Sequence, residues 1–150
     1  MEYQQNVSSP LGNLILRSDG KALTGLAFSE LQVPKKSCPV FLPAENWLSS
    51  YFAGQDPGPL PVKLSPKGTP FQKRVWSLLL EIPYGERRTY GSLAKLLSPT
   101  MSAQAVGAAV GKNPIAILIP CHRVLGAGGK LTGYAWGLSR KQYLLDLEQK

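Results

Sequence analysis

The sequence predicts an α/β protein in two parts: a small N-terminal antiparallel sheet with one helix, and a C-terminal, mostly helical, helix-turn-helix (winged-helix-like) domain that carries Cys121. Three observations predict it. Short apolar stretches open the chain, punctuated by Ser9-Pro10-Leu11-Gly12 and Asp19-Gly20-Lys21. Residues 54–70 are then broken by Pro57, Pro59, Pro61, Pro66 and Pro70 together with three glycines, too many for a central element. Hydroxyl-capped helical patterns follow that break. The domains expected are therefore 1–63 and 68–150.

Each element has a local cause. The strands expected are Tyr3 to Ser8, Asn13 to Arg17 and Ala22 to Phe28, joined as a meander by the two turn signals. After a Pro-containing stretch from Val33 to Pro43, a helix is predicted over Ala44 to Ala53, where Trp47, Leu48, Tyr51 and Phe52 recur at helical spacing and can cover the sheet. Thr69-Pro70 starts the next helix, with a capping hydroxyl and proline at the first helical position. Phe71, Val75, Leu78 and Leu79 carry it to Glu81, before Pro83-Tyr84-Gly85. Thr89 caps a third helix through Leu97, with Leu93, Leu96 and Leu97 expected inside; Ser98-Pro99-Thr100-Met101 ends it. Ser102 caps a fourth over Ala103 to Lys112. Two short helices across a tight break look like a helix-turn-helix, as any such pair can. Leu138 to Gln149 closes the chain as an amphipathic helix, with Tyr143, Leu144 and Leu147 expected on its buried side.

Composition narrows the function classes. No segment reaches the ~20 apolar residues needed to cross a bilayer, and Met1 to Asn6 do not read as a leader, so no membrane partner and a cytoplasmic location (nuclear in a eukaryote) are expected. One histidine with the distant Cys38 and Cys121 cannot supply a tetrahedral zinc set, and no metal or other cofactor is expected. The net charge of +8 is unevenly spread: residues 1–63 hold five basic and five acidic residues, residues 64–150 twelve and four. A basic half suggests a polyanion, most simply nucleic acid, although a surface basic for solubility alone has the same composition.

Pro120-Cys121-His122-Arg123-Val124 closes the apolar run Ile115 to Ile119. A free thiol has a pKa of about 8.5, and a basic or cationic neighbour such as His122 or Arg123 would favour its nucleophilic thiolate. An inert cysteine ending a core strand fits the same residues. Ala103 to Gly111 is nearly all small residues, which suits either close backbone approach to a narrow groove or tight packing on a neighbour. Gly126, Gly128, Gly129 and Gly133 lead to Tyr134-Ala135-Trp136-Gly137, which could wall a pocket for a flat ligand.

Together these residues resemble the O6-alkylguanine-DNA alkyltransferases, which repair alkylated guanine by moving the alkyl group onto a protein cysteine. The resemblance rests on Pro-Tyr-Gly-Glu at 83 to 86, Thr-Tyr at 89 and 90, Ala105-Val106-Gly107, Asn113-Pro114, Ile-Pro-Cys-His-Arg-Val at 119 to 124, Gly133-Tyr134, and Leu144-Leu145 before Glu148. The N-terminal half matches more loosely, through Ser9-Pro10-Leu11-Gly12 and Tyr51-Phe52-Ala53-Gly54.

The resemblance implies a single-turnover, base-flipping reaction from the minor groove of double-stranded DNA containing O6-alkylguanine. Cys121 is the implied acceptor, His122 its base through a bridging water, Glu148 the carboxylate orienting that base, and Asn113 the brace holding the cysteine strand against the fourth helix. Tyr90 pushes on the 3′ phosphate and donates its hydroxyl to the guanine. Main-chain groups of Cys121, Val124 and Ala135 meet the base beside Tyr134 and Trp136. Ser102, Ala103, Gln104, Ala105, Gly107 and Arg123 are expected at the DNA side, Arg123 also serving as an ion-pairing residue. A monomer that can cluster on DNA is the expected state.

Two departures stand out: Gln104 replaces the usual arginine that fills the gap of the flipped base, and Trp136 occupies a position often held by glycine, where an indole should narrow the pocket in favour of methyl over benzyl. A non-catalytic lesion binder would lack the acceptor cysteine, which is present, and a thiol hydrolase would need direct Cys–His contact and an oxyanion site.

Overall fold

The computed structural model describes residues 2–150, which divide into two compact units: 2–67 with 114–116, and 68–113 with 117–150. The second unit is thus not one continuous stretch, because Pro114–Ala116 belongs to the first.

The first unit is an antiparallel sheet in the order β1 (Tyr3–Ser9), β2 (Gly12–Ser18), β3 (Leu23–Phe28). Ser9 Oγ accepts from Leu11 N–H and donates to the Gly12 carbonyl, and Gly12 takes φ 115°, so the first turn is closed by its own side chain. Asp19 Oδ1 accepts from Lys21 and Ala22 N–H in the second. Residues Lys63 and Ser65 bond to Leu23, and Pro114 and Ala116 to Leu26, which covers the β3 edge. Helix α1 spans Phe41–Phe52 and buries Phe41, Ala44, Leu48 and Tyr51. It begins a turn earlier than the sequence predicts. Pro43 looks like a breaker, but a first-turn residue has no intrahelical acceptor to lose.

The second unit holds α2 (Pro70–Leu80), β4 (Arg88–Thr89), α3 (Tyr90–Leu97), α4 (Ala103–Val110), β5 (Val124–Leu125) and α5 (Leu138–Leu147). Thr69 and Thr89 each complete a capping box, with Gln72 and Ser92, and Ser102 Oγ accepts from Ala105 N–H. Trp76 donates its indole N–H to the Ala109 carbonyl at 2.9 Å, tying α2 to α4. A Cβ on Gly68 would come within 2.4 Å of that indole. β4 and β5 pair in parallel, Arg88 opposite Val124, and so bring the start of α3 beside the chain that leaves Cys121.

Several expectations fail for identifiable reasons. Leu96 is 70% exposed and Leu97 half-buried, while α3 buries Leu93, as expected, together with Ala94, because eight residues define a broad apolar arc and packing selects its centre. On α5, Tyr143 is exposed while Lys141, Leu144, Leu145 and Leu147 are buried. Helix α4 stops at Val110 with Gly111 as its cap. The cysteine does not end a strand: Ile119–Pro120–Cys121 makes an inverse γ-turn (Cys121 N–H to Ile119 carbonyl, 2.7 Å; Pro120 φ −80°, ψ 62°), and Cys121–Arg123 is a single 3₁₀ turn. Ile117 has φ 69°, a strained value for a β-branched residue, and is held by its 1% exposure.

Candidate active site

The 3₁₀ turn decides where three consecutive side chains go. Successive residues of such a turn point about 120° apart, so Cys121, His122 and Arg123 cannot share one face. Cys121 is 3% exposed and lines a cavity of about 110 Å³ with Tyr90, Gly107, Val110, Gly111, Gly133, Tyr134 and Ala135. His122 and Arg123 turn inward to Glu148, the residue that ends α5.

Glu148 accepts from four donors. Oε1 receives Arg123 Nε at 2.8 Å and Gly85 N–H at 3.0 Å; Oε2 meets His122 Nε2 at 2.6 Å and receives Arg123 Nη2 at 3.2 Å. Burial alone would raise its carboxyl, but the hydrogen bonds of His122 and Arg123 and the Arg123 charge hold it at about 2. An ionised Glu148 takes the proton on Nε2, so neutral His122 presents Nδ1 as its basic nitrogen. Burial lowers the His122 pKa against the pull of Glu148, which keeps the ring neutral at rest.

Arg123 Nη1 also donates to the Ile82 carbonyl at 2.7 Å, and its guanidinium lies 5.7 Å from the Tyr84 ring centroid. Its placement at the DNA side is therefore corrected: it is 7% exposed, with Nε and both terminal nitrogens committed inside. Only the ion-pairing reading stands. Sequence reasoning missed Gly85, whose φ of 81° aims its N–H at Glu148, and Gln149, which donates to the Gly85 carbonyl at 2.8 Å. The Pro-Tyr-Gly-Glu motif was a sufficient signal for the turn, though not for its target.

Nor do His122 and Arg123 lower the thiol pKa, since both are spent on Glu148. Burial pushes Cys121 up to about 11, against an Asn113 hydrogen bond, the Lys141 charge and the thiol's own backbone N–H. The resting group is a neutral thiol. Asn113 Nδ2 donates to the Ile119 carbonyl at 2.9 Å, so one buried amide braces both the γ-turn and the sulfur. The Tyr90 hydroxyl donates to the Thr132 carbonyl at 3.5 Å, and burial raises its pKa. Burial likewise drives Tyr134 well above the phenol range.

Trp136 does not line the cavity. Its ring meets that of Tyr134, which does line it, edge-on at 5.3 Å. Val124 is fully buried on β5 beside Arg88.

A second, more open groove of about 360 Å³ shares Tyr90 and Gly107 with the first and is completed by Thr89, Gly91, Ala103, Gln104 and Ala127. Ala103 and Gln104, which line it, are exposed, as is Ser102 at the start of α4, and Ala105 is half-buried. Of the twelve basic residues in 64–150, only Arg123 and Lys141 are buried, so the surplus is carried on the surface. Lys141 is the other feature the sequence concealed: its ammonium donates to the Thr132 and Gly133 carbonyls at 2.8 and 3.0 Å.

Residues 70–150 match the family model for the 6-O-methylguanine DNA methyltransferase DNA-binding domain. A methylated-DNA–protein-cysteine methyltransferase from Methanosarcina acetivorans is 46% identical over 97% of each chain. Among solved structures, the Mycobacterium tuberculosis O6-methylguanine methyltransferase aligns with a TM-score of 0.88 at 44% identity, over 99% of this chain and 93% of that one. A second structure of the Mycobacterium tuberculosis protein, in complex with DNA, gives the same score at 46% identity over 97% and 92%.

Proposed function

Because the chain belongs to the methylated-DNA–protein-cysteine methyltransferase family, and is a DNA-repair alkyltransferase with DNA as its partner, we propose that it takes the alkyl group of O6-alkylguanine in duplex DNA onto Cys121, once per molecule. One arrangement carries the assignment to that sulfur: Cys121 opens on a cavity walled by Tyr90 and Tyr134, while the adjacent His122 is tied to an ionised Glu148. The protein acts as a monomer that can cluster on DNA, in the cytoplasm or, in a eukaryote, the nucleus.

A thiol with a pKa of about 11 rests protonated, so its proton leaves during transfer rather than before. It passes through a bridging water to His122 Nδ1, and Glu148 stabilises the imidazolium. The Cys121 sulfur bonds to the alkyl carbon as the carbon–O6 bond breaks and its electron pair passes to guanine. Tyr90 protonates that base and recovers a proton by way of His122 and solvent. The net change is thiol plus O6-alkylguanine to thioether plus guanine. A thioether has no labile bond, which ends the protein's activity.

The target base must leave the stack to reach the sulfur. Small residues on α4 allow backbone approach in the minor groove, and Gln104 reaches the orphaned cytosine. Main-chain groups of Cys121, Val124 and Ala135 hold the flipped guanine. A cavity of about 110 Å³ closed by Tyr134 favours methyl over benzyl. The test is to incubate the protein with duplex carrying one O6-methylguanine and map the modified peptide. One methyl on Cys121 per molecule is expected. Label on Cys38, no label, or turnover beyond one equivalent overturns the assignment.

A further inference from the structure

Lys141 has no part in the reaction just described, yet its surface is fully buried, which is rare for lysine without a carboxylate partner. Its Nζ bonds to two backbone carbonyls, Thr132 at 2.8 Å and Gly133 at 3.0 Å, and lies 5.7 Å from the Tyr90 ring centroid. Tyr90 and Gly133 are walls of the Cys121 cavity, and the Tyr90 hydroxyl shares the Thr132 carbonyl with Lys141. The ammonium therefore sits where the loop wall and the tyrosine wall meet.

The surrounding charges give that position meaning. Arg123 and Glu148 cancel, and neutral His122 adds nothing. No carboxylate pairs with Lys141 among the described residues. The titratable groups that face it are Tyr90 from α3 and Cys121 and His122 from the 3₁₀ turn. It is thus a positive charge without a carboxylate partner that acts on the Cys121 thiol, beside a reaction that creates negative charge on sulfur and then on guanine.

We propose that Lys141 is a positioning residue for alkyl transfer: protonated, it holds the Thr132–Gly133 wall of the cavity and supplies the field in which the Cys121 sulfur and the departing guanine become negative. The proposal rests on Cys121 being the acceptor. Burial brings Lys141 down to about 8, so its proton is lost within an accessible range. The sign is diagnostic. Losing the Lys141 proton makes transfer slower as pH rises through about 8, whereas ionising a thiol at about 11 would make it faster.

The experiment is single-turnover methyl transfer from O6-methylguanine duplex between about pH 6.5 and 9.5, with the full chain, Lys141→Arg and Lys141→Met, alongside duplex affinity and mapping of the methylated peptide. The wild type should lose rate above about pH 8, approaching tenfold per pH unit. Lys141→Arg, which stays charged, should keep the neutral-pH rate within roughly threefold and lose the alkaline decline. Lys141→Met should be slower by roughly 10- to 100-fold, with duplex affinity unchanged and no decline.

A wild-type rate that is flat or rising through pH 9 overturns the proposal, as does a folded Lys141→Met protein of wild-type rate. If Lys141→Met does not fold, the wild-type and Lys141→Arg profiles still decide. Wild-type protein that leaves Cys121 unmethylated refutes the acceptor assignment instead.

Discussion

Glu148→Gln is the sharpest perturbation of the site, because the carboxylate accepts two hydrogen bonds on each oxygen and glutamine has one oxygen to offer. If the amide NH₂ replaces Oε1, it faces the Arg123 Nε and Gly85 donors, both left buried and unmet. If it replaces Oε2, His122 must accept through Nε2 and move its proton to Nδ1, and so cease to be a base on the thiol side. The second arrangement leaves fewer donors stranded and is the one expected. Losing a general base slows transfer by about 10²- to 10⁴-fold. Leaving the Arg123 guanidinium without a counter-charge costs about 3 kcal/mol, the low end for a broken buried pair, because one oxygen remains.

The assay pairs single-turnover methyl transfer with urea denaturation across pH. Glu148 titrates at about 2 in the fold against an ordinary 4.5, so its contribution to stability is complete above pH 4.5 and is lost as pH falls toward 2. His122, lowered from 6.5, adds an earlier loss as pH falls below 6.5, because the unfolded chain takes a proton that the buried ring refuses. Wild type should therefore weaken from about pH 6.5 downward, and Glu148→Gln should lack the part below 4.5. A variant within threefold of the wild-type rate and of equal stability would refute the assignment of Glu148 as the group that sets the His122 tautomer.

Asn113→Ala strips the Ile119 carbonyl and the Cys121 thiol of one partner; a stability loss of about 1–3 kcal/mol and slower transfer are expected, measured by denaturation and single-turnover rate. Gln104→Arg adds a cation on the groove that holds Tyr90, so duplex binding should tighten and the slope of log affinity against log salt steepen by about 1. An unchanged slope would mean that position 104 does not reach the DNA. Trp136→Gly frees the Tyr134 ring from its edge contact; reaction with free O6-benzylguanine should quicken by about tenfold, while methyl transfer from DNA stays within a factor of two. Equal gains on both substrates would place Trp136 elsewhere in the reaction.

Local chemistry was legible in the chain. Thr69, Thr89 and Ser102 cap helices by bonding to residues three positions on, so each start could be read from a few letters. The turns at Ser9–Gly12 and Asp19–Ala22 close on their own side chains in the same way. Where a decision depended on a distant surface, sequence reading failed: Leu96 and Tyr143 satisfy a helical period yet face solvent, and Lys141 looks solvent-facing in the sequence yet lies in the core.

The same division runs through the site. By itself the sequence determined that Cys121, His122 and Arg123 are adjacent, that a basic half accompanies them, and that small residues line α4. The tertiary structure alone decided that His122 and Arg123 converge on Glu148 instead of activating the thiol, that burial keeps that thiol protonated, and that Lys141 is buried against the Thr132 and Gly133 carbonyls. The reason is physical: a cap or a turn is complete within a few residues, whereas a pKa depends on burial and on charges that only folding brings near.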